Sequence, residues 1–231
     1  MAENRNIGSE NASAFPDALQ QGFLARAKIM SVRKRQIIVA EGTETNDVYL
    51  IRSGQIRIGL ISPQGREVIM RDLTPGSLIG ELSALDGMPR SASAIAMSNG
   101  ELAHMPREQF LDFVGETPRV GLWIAQQIAK QLRDVTERAF EWATMPVSVR
   151  VQSDILRMAD MAAPTSGHGA DHLSLSMPTH AELAARIGTH REAVSRELST
   201  LAKEGLISQK GRTLEILSLA KLRALNHRMR R

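Results

Sequence analysis

The spacing of the apolar residues changes near Pro118, and this change constrains the fold more than any other feature of the chain. Between residues 36 and 106, short apolar or alternating runs (QIIVA, DVYLIR, QIRIGLI, REVIMRDL, SASAIAM, ELAHM) are separated by turn-rich stretches such as EGTETN, SG, SPQG and TPGS. Runs of this length at roughly 8–12-residue spacing predict an antiparallel β-sandwich or barrel. SerGly at 53–54, GlnGly at 64–65 and ProGly at 75–76 mark turns. Beyond Pro118, Ala125, Ile128, Leu132, Val135, Ala139 and Trp142 recur at alternating steps of three and four, the a/d seam of a helix that pairs with a second helix. The alternative is a helix packed on its own barrel. ThrMetPro at 144–146 breaks this helix and reads as a hinge.

The remaining residues form a second unit. A helix is expected from about Ser148 to Met161, with a loop in APTSGHGADH. Two short helical segments follow, PTHAELAARIG and THREAVSRELSTLAKEG. A hairpin around LysGlyArg in LISQKGRTLEIL and a basic helix from about Leu219 come after them. Ala184, Gly188 and Val194 stand four and six apart, as in a helix-turn-helix: a small residue at the helix crossing, a glycine at the turn and an apolar docking residue. At about 100° per residue, Val194, Leu198 and Leu201 share one side of the second helix, and Arg191, Glu192, Ser195, Arg196 and Ser199 the other. Arginine offers donors to guanine N7 and O6, and glutamate offers an acceptor to the cytosine amino group. A solvated face with Glu192 paired to Arg196 is the plainer alternative.

Charge favours the first reading. Up to Ala143 there are 16 Lys+Arg against 17 Asp+Glu. From Thr144 onward there are 13 against 8, so the excess of +5 sits in the helix-turn-helix unit. A one-sided basic surplus is the footprint of a polyanionic partner. Double-stranded DNA is the expected partner, touched by Thr179, His180, Arg191, Glu192, Ser195, Arg196 and, in the hairpin turn, Lys210.

The second motif is PGSLIGELSALDGMPRSASA. Gly80 lets backbone N–H groups approach an anion at a short helix start, Arg90 supplies the counter-charge, and Ser91 adds a donor. Glu81 suits a sugar hydroxyl rather than a bare phosphate, so the set fits a phosphate joined to a ribose. A buried Glu81–Arg90 ion pair is the alternative.

THREAVSREL, HAELAARIG and LISQKGRTLEI resemble the winged helix-turn-helix of the cAMP receptor protein/fumarate-nitrate regulator (CRP/FNR) family. GELSALDGMPRSA and EGTETNDVYLIRSG resemble the phosphate-binding cassette and early strands of that family's cyclic-nucleotide-binding domain, and the likeness runs from about Phe15 to Leu217. The resemblance implies an α+β fold. Residues 15–117 form a jelly-roll antiparallel β-barrel after a loose tail over 1–14, followed by a dimerisation helix over 118–143 and a hinge over 144–147. A winged helix-turn-helix over 148–220 and a basic C-terminal helix over 221–231 complete it. It implies a homodimer that acts with RNA polymerase, gated non-covalently by cAMP first or cGMP second. Gly80, Glu81, Leu82, Arg90 and Ser91 then hold the nucleotide, with Glu81 on the ribose 2′-hydroxyl. Arg191, Glu192 and Arg196 read TGTGA-type half-sites. Ser195 matches the fumarate-nitrate branch, which brings in a TTGAT-like site. Where the family has a Thr–Ser pair on adenine, this chain has Val135 and Thr136, which keeps one hydroxyl and loses the other.

The chain has no cysteine, so iron–sulfur clusters, disulfides and Cys-ligated zinc are excluded. No metal is expected, since His168 and His172 stand in a Gly-rich loop with no carboxylate pattern beside them, and His104 reads as a strand residue. No Ser-His-Asp, P-loop or H-E-x-x-H arrangement points to an enzyme. With neither a membrane span nor a signal peptide in the sequence, a cytoplasmic regulator is expected. A regulatory subunit that binds cyclic nucleotide and controls a partner protein is the other class, and it has no use for a winged helix.

Overall fold

The computed structural model describes residues 14–162 and 171–230. The expected tail over 1–14, all but its last residue, and the Gly-rich loop with His168 lie outside them. The chain divides into two compact units, with the boundary between Leu132 and Arg133 inside its longest helix.

The first unit opens with α1 (Asp17–Leu24), then β1 (Lys28–Val32), β2 (Ile37–Val39), β3 (Val48–Ser53), β4 (Ile56–Ile61), β5 (Glu67–Leu73) and β6 (Leu78–Ile79). It continues through α2 (Glu81–Asp86), β7 (Ser93–Ala96), β8 (Gly100–Met105), α3 (Arg107–Glu116) and the first turns of α4 (Pro118–Thr144). The strands form two four-stranded antiparallel sheets, ordered β1-β8-β3-β6 and β2-β7-β4-β5. This is a jelly-roll-like sandwich of two sheets rather than a closed barrel. Val32, Ile51, Ile56, Ile79 and Leu102 are buried together as alternating inward residues of these strands. A second core gathers four of the five phenylalanines. Phe15, Phe23 and Phe113 meet edge-on at centroid separations of 6.1–6.4 Å, and Phe110 lies with them. Such pairs contribute about 0.5–1.5 kcal/mol each beyond the area they bury. Helices α1 and α3 and strand β1 lie outside the sequence-based strand series. Their pairing is long-range, with β1 zipped to β8 from Lys28↔His104 to Val32↔Gly100.

On α4 the seam behaves in two ways. Val120 and Ile124 are buried and Ile128 partly buried in the phenylalanine core, so the early turns pack on their own unit. Ala125, Leu132, Val135 and Ala139 are exposed, Leu132 at 66% and Val135 at 45%.

The second unit follows α4 with α5 (Val147–Ala162), β9 (Leu173–Ser176), α6 (His180–Ile187), α7 (Arg191–Lys203), β10 (Ile207–Lys210), β11 (Thr213–Ile216) and α8 (Leu219–Met229). Its core joins Ile155, Leu183, Ile187, Val194, Leu198, Leu201, Leu214 and Leu222. The expected hairpin is present as β10–β11. It gains a third strand, β9, paired to β11 from Leu173↔Ile216 to Ser176↔Thr213. Helix α6 starts on a full capping box, in which Thr179 accepts from Glu182 N–H and Glu182 accepts from Thr179 N–H. It ends on Gly188 at φ 68, the left-handed turn that a glycine accommodates.

Candidate functional site

Gly80 is the N-cap of α2 and takes φ 89, with a backbone oxygen (Asp47 O) 2.6 Å from where a Cβ would stand, so only glycine fits there. The close neighbour is Arg90, which is buried. Its guanidinium donates from Nε to Thr45 Oγ1 at 3.1 Å, from Nη1 to Gly80 O at 3.1 Å and from Nη2 to Asp47 O at 2.7 Å. Three of its five N–H donors are thus spent on orientation, and two remain for an anion. Burial lowers the pKa of Arg90, with Tyr49, Asp47 and Glu81 opposing that shift. Its backbone is clasped as well, through Gly42 N–H to Arg90 O and Arg90 N–H to Thr43 O. Asp47 is held by His104, 2.8 Å from its carboxylate, so His104 has a structural partner.

The expected alternative, a Glu81–Arg90 ion pair, is not what the site contains. Glu81 is buried, and the charge beside it is Arg71 of β5, at 3.7 Å. Arg71 is a residue that sequence reasoning missed. It alternates among apolar strand residues, and nothing in its spacing marks it. Gly80, Glu81, Leu82, Arg90, Ser91 and Arg71 line one cavity of about 50 Å³. That is smaller than the roughly 300 Å³ at which ligand pockets begin, so it has room for only part of a ligand. Val135 and Thr136 belong to α4 beyond Leu132 and are not among its lining residues.

The second candidate surface is the outer side of α7. Val194, Leu198 and Leu201 are buried, while Arg191, Glu192, Arg196 and Ser199 are exposed. No ion pair joins Glu192 to either arginine among the described residues, so the salt-bridged alternative is absent there. Ser195 is placed differently. It is half-buried, its hydroxyl donates to Arg191 O at 3.0 Å, and His180 Nδ1 lies 2.8 Å from it. Thr179 serves α6 as its cap. Lys210, at the end of β10, is exposed beside Gly211 and Arg212.

The turn between α6 and α7 is clamped from two sides. Arg150 of α5 donates to Ile187 O at 2.7 Å. The indole of Trp142 covers Gly188, 3.4 Å from where a Cβ would stand. Trp142 was expected on the helix-pairing seam. Its indole also packs on Gly188 of its own chain while remaining 37% exposed. Near it lies a buried ionic cluster that sequence reasoning also missed: Glu141 of α4 accepts two hydrogen bonds from Arg157 of α5, at 3.2 and 3.0 Å, and another from Arg230.

Among the described residues no group of three or more His, Asp or Glu side chains is placed to hold a metal ion, and no helix is long and apolar enough to cross a membrane.

The family profile described as "Cyclic nucleotide-binding domain" matches residues 29–117, and that described as "Crp-like helix-turn-helix domain" matches residues 149–225. The Cyclic AMP receptor protein of Thermus thermophilus is 34% identical over 185 residues, covering 80% of this chain and 82% of that protein. The CRP-like cAMP-activated global transcriptional regulator of Mycobacterium tuberculosis is 28% identical over 179 residues, covering 78% and 79%. Among solved structures, the c-di-GMP responsive global regulator CLP of Xanthomonas campestris superposes with a TM-score of 0.75 at 22% identity. It covers 88% of this chain and 99% of that one, a likeness of fold.

Proposed function

This chain belongs to the CRP/FNR family of transcription regulators, and on that premise we propose that it acts as a homodimer whose binding to palindromic TGTGA-like half-sites is gated by a cyclic nucleotide, cAMP ahead of cGMP. The observation that carries the DNA half of this reading is the exposed Arg191–Glu192–Arg196 face on the basic unit, with its charges free of each other. Glutamate among arginines supplies the acceptor that guanidinium lacks. The observation behind the nucleotide half is Arg90, pre-oriented over a small cavity beside the buried Glu81 carboxylate. Arg90 and Ser91 take the cyclic phosphate and Glu81 the ribose hydroxyl, with Arg71 beside Glu81 at 3.7 Å. The base is read elsewhere, and Thr136, with Val135 beside it, offers a single hydroxyl for it. Exposed Ala125, Leu132, Val135 and Ala139 pair the two copies. The dimer then presents two α7 helices to half-sites about one DNA turn apart and works in the cytoplasm with RNA polymerase. Residues 144–147 serve as the hinge.

A second reading keeps the DNA half and changes the effector. It draws on a fold-related regulator named as c-di-GMP responsive. Calorimetric titration with cAMP, cGMP and c-di-GMP separates the two, followed by duplex binding with and without each. Binding of neither mononucleotide removes the first reading of the effector.

On the DNA, a bidentate Arg–guanine pair is worth about 1–3 kcal/mol of discrimination. Arg196→Ala is expected to weaken a TGTGA-type site by that amount and to relax preference at the contacted G in a competition panel. Glu192→Ala removes a negative charge near phosphates, so random duplex binds no more weakly while preference at the opposing C·G pair falls. Lys210→Ala weakens all sequences alike and lowers the salt slope by about one unit. Wild-type protein that binds random and palindromic duplexes equally, with either nucleotide present, defeats the base-reading role.

For assembly, Leu132→Glu together with Val135→Glu places like charges across the pairing face. Sedimentation is expected to show monomers at concentrations where wild type is dimeric. A persistent dimer means that the two copies meet elsewhere.

A further inference from the structure

We infer that His180 is a positioning residue for DNA reading: it holds Ser195 on α7 from one side while Arg191 O takes the serine hydrogen, so that Ser195 offers no donor to the bases. The inference rests on the base-reading role proposed above for α7. His180 is the first residue of α6, and the capping box at Thr179 and Glu182 fixes its backbone. Its ring stands between two other elements of the same surface. Nδ1 is 2.8 Å from Ser195 Oγ on α7, and Nε2 is 3.4 Å from both the oxygen and the nitrogen of the Gln209 amide on β10. One imidazole thus ties the first helix, the second helix and the wing.

The chemistry of the serine decides the proton positions. A hydroxyl has one hydrogen and two lone pairs. The Ser195 hydrogen goes to Arg191 O, one turn back on its own helix. With that hydrogen on Arg191 O, Ser195 accepts from His180 as the Nδ1–H tautomer, and Nε2 then accepts from the Gln209 amide nitrogen, which lies at the same 3.4 Å as the amide oxygen. With its only hydrogen committed, Ser195 has no donor for guanine N7 or O6 or for thymine O4. Its value to recognition is indirect: it holds α7 in register with α6, so that Arg191, Glu192 and Arg196 present their groups from a fixed helix.

Two conservative replacements separate the two arms of the ring. Asparagine places an amide N–H where Nδ1 stands and reaches Ser195. Glutamine reaches as far as Nε2 does and approaches Gln209 but not Ser195. The full-length protein is assayed against duplexes carrying each substitution at each half-site position. The loss of one hydrogen bond predicts about a three- to tenfold weaker specific site for His180→Ala and for Ser195→Ala. The double variant is expected to be no weaker than the worse single one, because both remove the same bond. His180→Asn recovers to within about twofold of wild type and His180→Gln does not. Ser195→Ala keeps the wild-type base preference at every position, whereas Arg196→Ala in the same panel loses it at its guanine. Long-range proton–nitrogen NMR on the protein without DNA reads the tautomer directly, with Nδ1–H expected.

A preference lost at one base pair in Ser195→Ala but kept in His180→Ala overturns the inference, as do additive losses in the double variant. An Nε2–H tautomer also overturns it, whatever the DNA data show. A flat wild-type panel defeats the base-reading proposal itself, and the positioning role falls with it.

Discussion

Arg90→Ala is expected to weaken cyclic-nucleotide binding by on the order of 100-fold or more, the cost of removing one partner of a buried, hydrogen-bonded charge pair. Calorimetric titration beside wild type checks it. The substitution has a second effect that the surroundings of Arg90 predict. The guanidinium bridges Thr45, the Asp47 carbonyl and the Gly80 carbonyl, so alanine also unties the 43–47 loop from the turn before α2. A fall in thermal stability of the first unit therefore accompanies the loss of binding. Arg90→Lys distinguishes the two contributions. It keeps the charge, but a compact ammonium cannot span three acceptors arranged for a planar fork. It is expected to recover part of the affinity and little of the stability. Binding within tenfold of wild type in Arg90→Ala would assign Arg90 to structure alone.

Glu141→Ala is expected to destabilise the second unit by about 3 kcal/mol, the lower end of the range for breaking a buried ion pair. The lower end applies because Arg157 and Arg230 keep about a third of their side chains exposed, while Glu141 itself is 1% exposed. Burial depresses the pKa of Arg157, but the hydrogen bond and charge of Glu141, together with the charges of Asp154 and Glu137, outweigh burial and raise it. Removing the carboxylate leaves Arg157 with Asp154 alone, 3.6 Å from its Nε, and Arg230 with the exposed Glu137 at 3.4 Å. Urea unfolding measures the loss. Replacing Glu141 and Arg157 together with leucine and methionine is expected to recover only part of it, since that pair vanishes while Asp154 loses Arg157 and Arg230 keeps only Glu137. A loss below about 1 kcal/mol in Glu141→Ala places the cluster with ordinary surface pairs.

What could be read from sequence and what could not divide along the range of the interaction. The hairpin β10–β11, the turn at Gly188 and the two sides of α7 are local. A glycine, a three-to-four spacing or a six-residue offset carries each of them. Strand β9 has the right alternation, Leu173 and Leu175 between serines, but its partner β11 lies some 40 residues on, and four residues are too few to be decisive alone. The phenylalanine core has no periodic signature, because Phe15, Phe23 and Phe113 come from three separate segments. In the cavity, GEL and RSA mark positions 80–82 and 90–92 as a set. Which carbonyls orient Arg90, and that Arg71 rather than Arg90 faces Glu81, depend on β3 and β5 lying beside α2. The Ser195–His180 bond was hidden for the same reason. A helical wheel shows which way a serine points, not what waits there.

The placement of the indole over Gly188 gives the protein a built-in optical probe. The chain has two tryptophans. Trp123 lies in the first unit against Phe15, with ring centroids 4.8 Å apart, while Trp142 lies on the bend of the helix-turn-helix. A Trp123→Phe protein therefore has a single tryptophan, and its indole fluorescence reports on the bend that sets the angle between α6 and α7. Titrating that variant with nucleotide, and separately with duplex, shows whether an effector alters the bend itself or leaves it untouched and acts on the protein elsewhere.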